Sequence, residues 1–318
     1  MRKLYGQHVR FDVLAGTKDI FKKGVTKIAG HRKGQKLLKE DIIRKIQMEN
    51  KLKKGIDNGE FRLYYQPQLR LNTEEIIGME ALTRWIHPDE GFISPAVFIP
   101  AAEETDQIYI LEQWVLHKAL RQKREWEEEG FGHIELSINL SGRTLESRSA
   151  FQEIEEIFSE HKVDYSKIVI EMTETALFSN MELVIEHLER LKERGIKIAL
   201  DDFGTGYSSL THLKKLPIDI IKLDKSFVGQ APEGGKETVI IKNIISMAHE
   251  LEYRVIAEGI ETYEQLDCLK KFTCETGQGF LFERPMPKDI IRELLRFPNR
   301  KETARLKKSA ASQIPIMD

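Results

Sequence analysis

Cysteine is nearly absent from this 318-residue chain, which carries only Cys268 and Cys274. Two such close thiols cannot frame a disulfide scaffold or a cysteine-rich zinc site, and their scarcity fits a reducing, cytoplasmic compartment. Long apolar runs are missing too. The longest stretch without Asp, Glu, Lys or Arg, Gly91 to Ala102, is twelve residues with two prolines. A membrane-spanning helix needs about 18. Charges interrupt the first thirty residues throughout, so no secretory h-region is present. No Walker phosphate loop occurs, and Gly204-Thr-Gly206 lacks the third glycine of a dinucleotide loop. The nine histidines are scattered, with no His-Glu-x-x-His motif to support a zinc hydrolase.

What remains is an ordinary soluble composition, 41% hydrophobic and 31% charged, able to bury a large core. Its charge is uneven. Residues 1–55 hold sixteen Lys or Arg against five Asp or Glu, whereas the rest holds thirty-three against forty-six. A basic leader therefore precedes an acidic body. Such a leader can contact an acidic protein, nucleic acid or an anionic membrane surface, although no aromatics interleave its charges at groove-binding spacing.

From Lys36 a helical period sets in through Leu38, Ile42, Ile46, Leu52 and Ile56, and Asp57-Asn-Gly59 ends it. After it the chain alternates short β-branched runs with amphipathic stretches. Strands are predicted from Phe61, Ile76, Glu135, Lys167, Lys197, Ile218 and Arg254, and a last one over Gly279–Phe282. Helices are predicted over 109–129, 151–161, 181–194, 237–251, 263–271 and 288–296. Repeated β–α units of this kind build a mostly parallel sheet covered by helices, and eight strands within Phe61–Phe297 suit a (β/α)8 barrel. The direction of the first strand stays open, because a helix and no crossover precedes it. The expected division is a poorly ordered basic leader over 1–36, a barrel over 37–298 and a polar basic tail over 299–318.

Barrel chemistry collects where strands end. Those positions here carry Glu80, Asn139, Glu171, Asp201-Asp202, Lys222, Glu258 and Gln278, with Glu174 and Glu261 just beyond. Oxygen donors suit Mg2+ or Mn2+ better than zinc. So many carboxylates in one mouth demand neutralisation, which two divalent ions and one lysine would supply. Acids that merely cap helix N-termini would not explain Asn139, Lys222 and Gln278 as well.

Glu80-Ala-Leu-Thr-Arg84 lies between Tyr64-Tyr-Gln-Pro67 and Phe98-Ile-Pro-Ala-Ala-Glu-Glu-Thr105. Downstream come Asn139-Leu-Ser141, Ile170-Glu-Met-Thr-Glu174, Asp201-Asp-Phe-Gly-Thr-Gly-Tyr-Ser-Ser209, Ile221-Lys-Leu-Asp224, Ala257-Glu-Gly-Ile-Glu-Thr262 and Gly277-Gln-Gly-Phe280. This ordered series resembles the EAL-domain family of cyclic di-GMP phosphodiesterases over about residues 50–298. The resemblance implies an α/β fold, a modified TIM barrel whose first strand is antiparallel. It implies hydrolysis of cyclic di-GMP to linear 5′-pGpG with two Mg2+ or Mn2+ ions, inhibition by Ca2+, and a homodimer formed through the region after Asp202. No Gly-Gly-Asp/Glu-Glu-Phe cyclase motif is present, so a stand-alone EAL protein is expected.

Position by position, Glu80, Asn139, Glu171 and Asp201 resemble ligands of a first metal, and Asp201, Asp202 and Glu258 those of a second. Lys222 resembles the residue that holds the attacking water. Gln66, Leu82, Arg84, Gln278 and Glu261 resemble substrate contacts, Arg84 on a phosphate. Glu174 resembles the glutamate that anchors the loop after the Asp-Asp pair. Ala101 and Asp106 depart from commoner choices without removing a ligand. An EAL module that binds the dinucleotide, or a protein, without cutting it stays open as the alternative. A magnesium-dependent lyase barrel fits less well, given the Asp-Asp pair and Arg84.

Overall fold

The computed structural model describes residues 45–174, 180–204 and 213–297. The chain divides into two compact units, residues 1–51 and 52–318. Of the first unit, only residues 45–51 are described, and they are helical. The expected leader over 1–36, the tail over 299–318 and residues 205–212 lie outside the described residues.

Eight strands close the second unit into a ring. In chain order they are β1 (Phe61–Arg70), β2 (Ile76–His87), β4 (Glu135–Asn139), β5 (Ile168–Thr173), β6 (Lys197–Phe203), β7 (Ile220–Leu223), β8 (Arg254–Ala257) and β9 (Thr276–Gly277). From β2 to β9 every neighbouring pair in the ring is parallel. β1 closes the ring antiparallel to both β2 and β9, which settles the direction that pattern left open. Two short strands, β3 (Gly91–Ile93) and β10 (Met286–Pro287), extend β2 and β1.

Among the described residues, the helices around the ring are α1 (Pro95–Glu104), α2 (Gln107–Glu128), α3 (Gly142–Leu145), α4 (Arg148–Glu160), α5 (Met181–Glu193), α6 (Lys225–Gln230), α7 (Lys236–Glu250), α8 (Tyr263–Lys271) and α9 (Lys288–Arg296). On α2, Val115, Leu116, Ala119 and Leu120 repeat at helical spacing and are buried in the main core, and Leu111, one turn earlier, is buried as well. Ser147, Asn180 and Thr262 cap α4, α5 and α8 through side-chain oxygens that accept N-terminal N–H groups.

The floor of the barrel is polar and paired. Glu135, Lys197 and Arg254, the first residues of alternate strands, meet with Glu135 Oε1 2.6 Å from Lys197 and Oε2 2.6 Å from Arg254. Burial pushes the Glu135 carboxyl up, but Arg254 and Lys197 outweigh it and hold the group below its usual range.

One expected strand is misplaced. Gly279–Phe282 is a turn, and the closing strand is Thr276–Gly277. At Gly279 the chain presses on the backbone of Ile260, where a Cβ would stand 2.1 Å from the carbonyl oxygen. Ile260 N–H donates to Gln278 O and Leu281 N–H to Ile260 O, so the chain leaves the sheet to follow residues 258–260. The Phe-Leu-Phe run buries Phe282 without pairing. The expected barrel is otherwise present.

Candidate active site

The carboxyl ends of the parallel strands carry a single buried cluster around Lys222. Its ammonium on β7 lies 2.6 Å from Glu171 Oε2 of β5, 2.9 Å from Asp201 Oδ2 of β6 and 2.7 Å from Glu258 Oε1 just past β8. Glu80 Oε1 of β2 stands 3.7 Å away. Gln278, the residue after β9, donates its amide to Glu80 Oε2 at 2.6 Å and to Glu258 Oε1 at 3.1 Å. Asn139, last residue of β4, donates Nδ2 to Glu80 Oε1 at 3.0 Å. Strand periodicity explains the convergence, since residues that end neighbouring parallel strands face one mouth.

A local irregularity widens the donor set at β6. The β6–β7 register shifts between Leu200 and Phe203, and Asp202 takes the left-handed conformation at φ 55°. Such a backbone is unusual for a residue other than glycine. Two adjacent residues of an extended strand normally point to opposite faces. The bulge lets Asp201 and Asp202 both contribute. Carboxylate oxygens then form two trios, Glu80/Glu171/Asp201 and Asp201/Asp202/Glu258, each with its atoms within 4.8 Å of one another. Asp201 belongs to both.

The electrostatics of the cluster are unbalanced. Burial alone would lower the Lys222 pKa, but Glu171, Glu258, Glu80 and Asp201 hold it well above its ordinary value. Burial drives Glu171 well up despite Lys222, with Glu80 and Asp201 adding repulsion. Glu258 is pushed up to about 8, again chiefly by burial. Asp202 rises through burial and its neighbour Asp201. Glu80 ends below the usual range: burial raises it, but Lys222 and hydrogen bonds from Gln278 and Asn139 prevail. One lysine thus faces more carboxylate than it neutralises. Glu171 Oε1 and Gln278 Oε1 are buried without a hydrogen-bond partner. Orphaned oxygen acceptors among crowded carboxylates are the donor set that a hard divalent cation takes.

Beside Glu80 and Asn139 opens a cavity of about 330 Å3, whose lining includes Leu82, Arg84, Ile99, Leu111 and Glu112. Arg84 donates to Thr83 O at 3.0 Å and stands 6.0 Å over the Tyr64 ring. Gln66 pairs opposite Glu80 in the β1–β2 register and donates to Glu283 O at 3.1 Å. Glu174 is buried and accepts the Gly204 N–H through Oε2 at 3.4 Å. Glu261 is exposed and belongs to neither trio; its N–H bonds Gln265 Oε1 at the start of α8. Sequence reasoning passed over Glu112. Its signal was a carboxylate at helical spacing within the apolar stripe of α2. No described helix is long and apolar enough to cross a membrane.

The EAL domain family matches residues 49–285. Cyclic di-GMP phosphodiesterase NbdA of Pseudomonas aeruginosa is 36% identical over 274 residues, 85% of this chain and 35% of its own length. A second cyclic di-GMP phosphodiesterase of that organism is 40% identical over 76% of this chain and 41% of its own. The chain thus spans about two fifths of the length of the curated relatives it matches. Among solved structures, the phosphodiesterase of Pseudomonas aeruginosa MucR in complex with c-di-GMP aligns with TM-score 0.73 and 33% identity over 77% of this chain and 99% of that one. An EAL domain protein of Listeria monocytogenes aligns with TM-score 0.68 and 30% identity over 76% of this chain and 94% of that one. On this match, which spans the barrel and its mouth, the protein belongs to the EAL domain family.

Proposed function

We propose that this chain is a phosphodiesterase that hydrolyses cyclic di-GMP to linear 5′-pGpG. The observation that carries the reading is the complete set of donors at one mouth: two carboxylate trios sharing Asp201, with Asn139, Gln278 and a buried lysine among them. Two of the relatives bear the name cyclic di-GMP phosphodiesterase.

Glu80, Asn139, Glu171 and Asp201 would hold one Mg2+ or Mn2+, and Asp201, Asp202 and Glu258 a second. When bound, such ions supply Lewis-acid polarisation of a phosphate oxygen and acidification of a water. Lys222 keeps its proton among the carboxylates, so it donates hydrogen bonds. It orients the attacking water and offsets charge on the phosphorane, and it is not the base. Arg84, which lines the cavity, would bind a non-bridging phosphate oxygen. In-line attack by water forms one P–O bond as the P–O3′ bond breaks; the water gives up one proton to solvent and the departing 3′-oxygen takes one up.

The test is purified protein with cyclic di-GMP and Mn2+ or Mg2+, the product read by chromatography. Linear pGpG is expected, with Ca2+ suppressing turnover. Binding without cleavage would establish the silent-receptor alternative instead. Undiminished turnover after exhaustive chelation would remove the metals from the mechanism.

Glu174 acts as a positioning residue for the loop that leaves Asp202, by way of Gly204. That loop leads into the region through which a homodimer would form. Glu174→Ala should give a folded protein with turnover reduced about tenfold or more and a raised Mg2+ requirement. Wild-type kcat and Mg2+ dependence would leave Glu174 a plain buried acid.

A further inference from the structure

We propose that Glu112 is a positioning residue that fixes the Asn139 end of β4, an inference resting on the reading above that Asn139 binds metal. Glu112 lies on α2 between Ile108, Leu111, Val115 and Leu116, all buried, and is itself only 7% exposed. A leucine there would continue the stripe at no electrostatic cost. The carboxylate is instead turned onto the segment that follows Asn139. Its Oε1 accepts the Ser141 N–H at 2.5 Å, and its Oε2 accepts the Thr144 hydroxyl. Ser141 Oγ in turn accepts the Thr144 N–H at 3.3 Å as the cap of α3.

One side chain from α2 therefore grips both ends of the turn that begins two residues after Asn139. On the other side, Leu140 N–H donates to Glu171 O at 2.9 Å. Asn139 is held between these anchors. Its amide nitrogen is committed to Glu80 Oε1, which leaves the carboxamide oxygen as the donor to a cation. Glu112 and Asn139 line the same cavity, so truncating one opens space beside the other.

A second strut reinforces the turn from outside. Arg143 Nη2 lies 2.5 Å from Asp106 Oδ1, and Asp106 adopts φ 58°. That pair is exposed and worth little on its own, so the buried carboxylate carries most of the restraint. Burial pushes the Glu112 carboxyl up to about 7. Position matters here more than charge. A glutamine would keep both contacts, with Oε1 accepting from Ser141 and Nε2 donating to the Thr144 hydroxyl.

The experiment is direct Mn2+ titration of the full chain without substrate, followed by the electron paramagnetic resonance of the free ion. Turnover is then measured against Mn2+ concentration. Glu112→Ala should weaken Mn2+ binding about tenfold, as loss of a group that orients a metal ligand does. Its kcat at saturating Mn2+ should stay within about threefold of the parent, on the same ground that orientation and not the reacting groups is lost. Glu112→Gln should bind Mn2+ within about twofold of the parent. Thr144→Val, which removes the hydroxyl's contacts to Glu112 and to Ser141 Oγ at nearly constant volume but leaves the Ser141 N–H on Glu112, should give an intermediate loss of about threefold.

Asn139→Ala serves as the reference. If it weakens Mn2+ binding while Glu112→Ala does not, Glu112 has no positioning role and the metal reading stands. Glutamine failing as badly as alanine would likewise overturn the proposal, since charge would then be what matters. If Asn139→Ala binds Mn2+ like the parent, Asn139 is no ligand and both readings fall. Should Glu112→Ala not fold, Thr144→Val decides: parent-like Mn2+ affinity overturns the proposal.

Discussion

Lys222→Met should lower kcat by about 100-fold or more while cyclic di-GMP binding stays within a few-fold of the parent. Methionine keeps the length and apolar stem of the lysine and removes only the ammonium. That ammonium lies within 2.9 Å of three carboxylates and 3.7 Å of a fourth, with no solvent to replace it. A preorganised donor in so enclosed a place acts on charge that develops during attack, which is why loss should fall on kcat. The same change leaves the carboxylates without their resident cation. Breaking a buried pair this way costs about 3–5 kcal/mol. The metal-free variant should therefore melt earlier than metal-free parent, and Mn2+ should narrow the gap by neutralising the same oxygens. Lys222→Arg should not rescue turnover, because a planar fork needs volume and geometry that the cluster lacks. The checks are kcat at saturating Mn2+, binding of the dinucleotide under Ca2+, and melting with and without metal. Near-parental kcat in the methionine variant would remove Lys222 from the reaction.

Much of this site is legible in the sequence, and for a simple reason. Parallel strands buried on both faces appear as apolar β-branched runs, such as Ile168-Val-Ile170, and a polar residue that ends such a run stands at the mouth. Glu171, Asp201, Lys222 and Glu258 were legible that way. The direction of β1 was not, because Phe61–Arg70 would alternate identically whichever way it ran. The closing strand was misread because Phe280-Leu-Phe282 has strand composition. What diverts it is the contact of Gly279 with Ile260, a long-range packing event that no local period reports. Strands of two or three residues, such as β3 and β10, are too short to show a period. Glu112 was hidden by the ordinary assumption that a charged helical residue faces water. The left-handed turn at Asp202 is equally silent in sequence. Without it the Asp-Asp pair would be split between two faces of the sheet.

That bulge sets the larger of the remaining expected effects, at Asp201. Asp201→Asn preserves volume but replaces one carboxylate oxygen with an amide nitrogen that cannot ligate a cation. Asp201 is the only carboxylate common to both trios, so the change touches both candidate metal positions at once. Asp202→Asn touches one. Lewis-acid stabilisation by bound metal is worth several kcal/mol in the transition state, and each 1.4 kcal/mol is about tenfold in rate. Turnover should accordingly fall about 1,000-fold in Asp201→Asn and markedly less in Asp202→Asn. Binding should follow the same order: two Mn2+ per chain in the parent, one tight ion in Asp202→Asn, and no tight ion in Asp201→Asn. The fold should survive: the asparagine carboxamide oxygen can take over the Asp202 N–H that Oδ1 accepts at 2.8 Å, and Lys222, which loses its contact to Oδ2, keeps Glu171 and Glu258. Counting Mn2+ by equilibrium dialysis alongside kcat tests the arrangement directly. If Asp201→Asn still held two tight ions, or if Asp202→Asn were the more damaging change, Asp201 would not bridge the two positions.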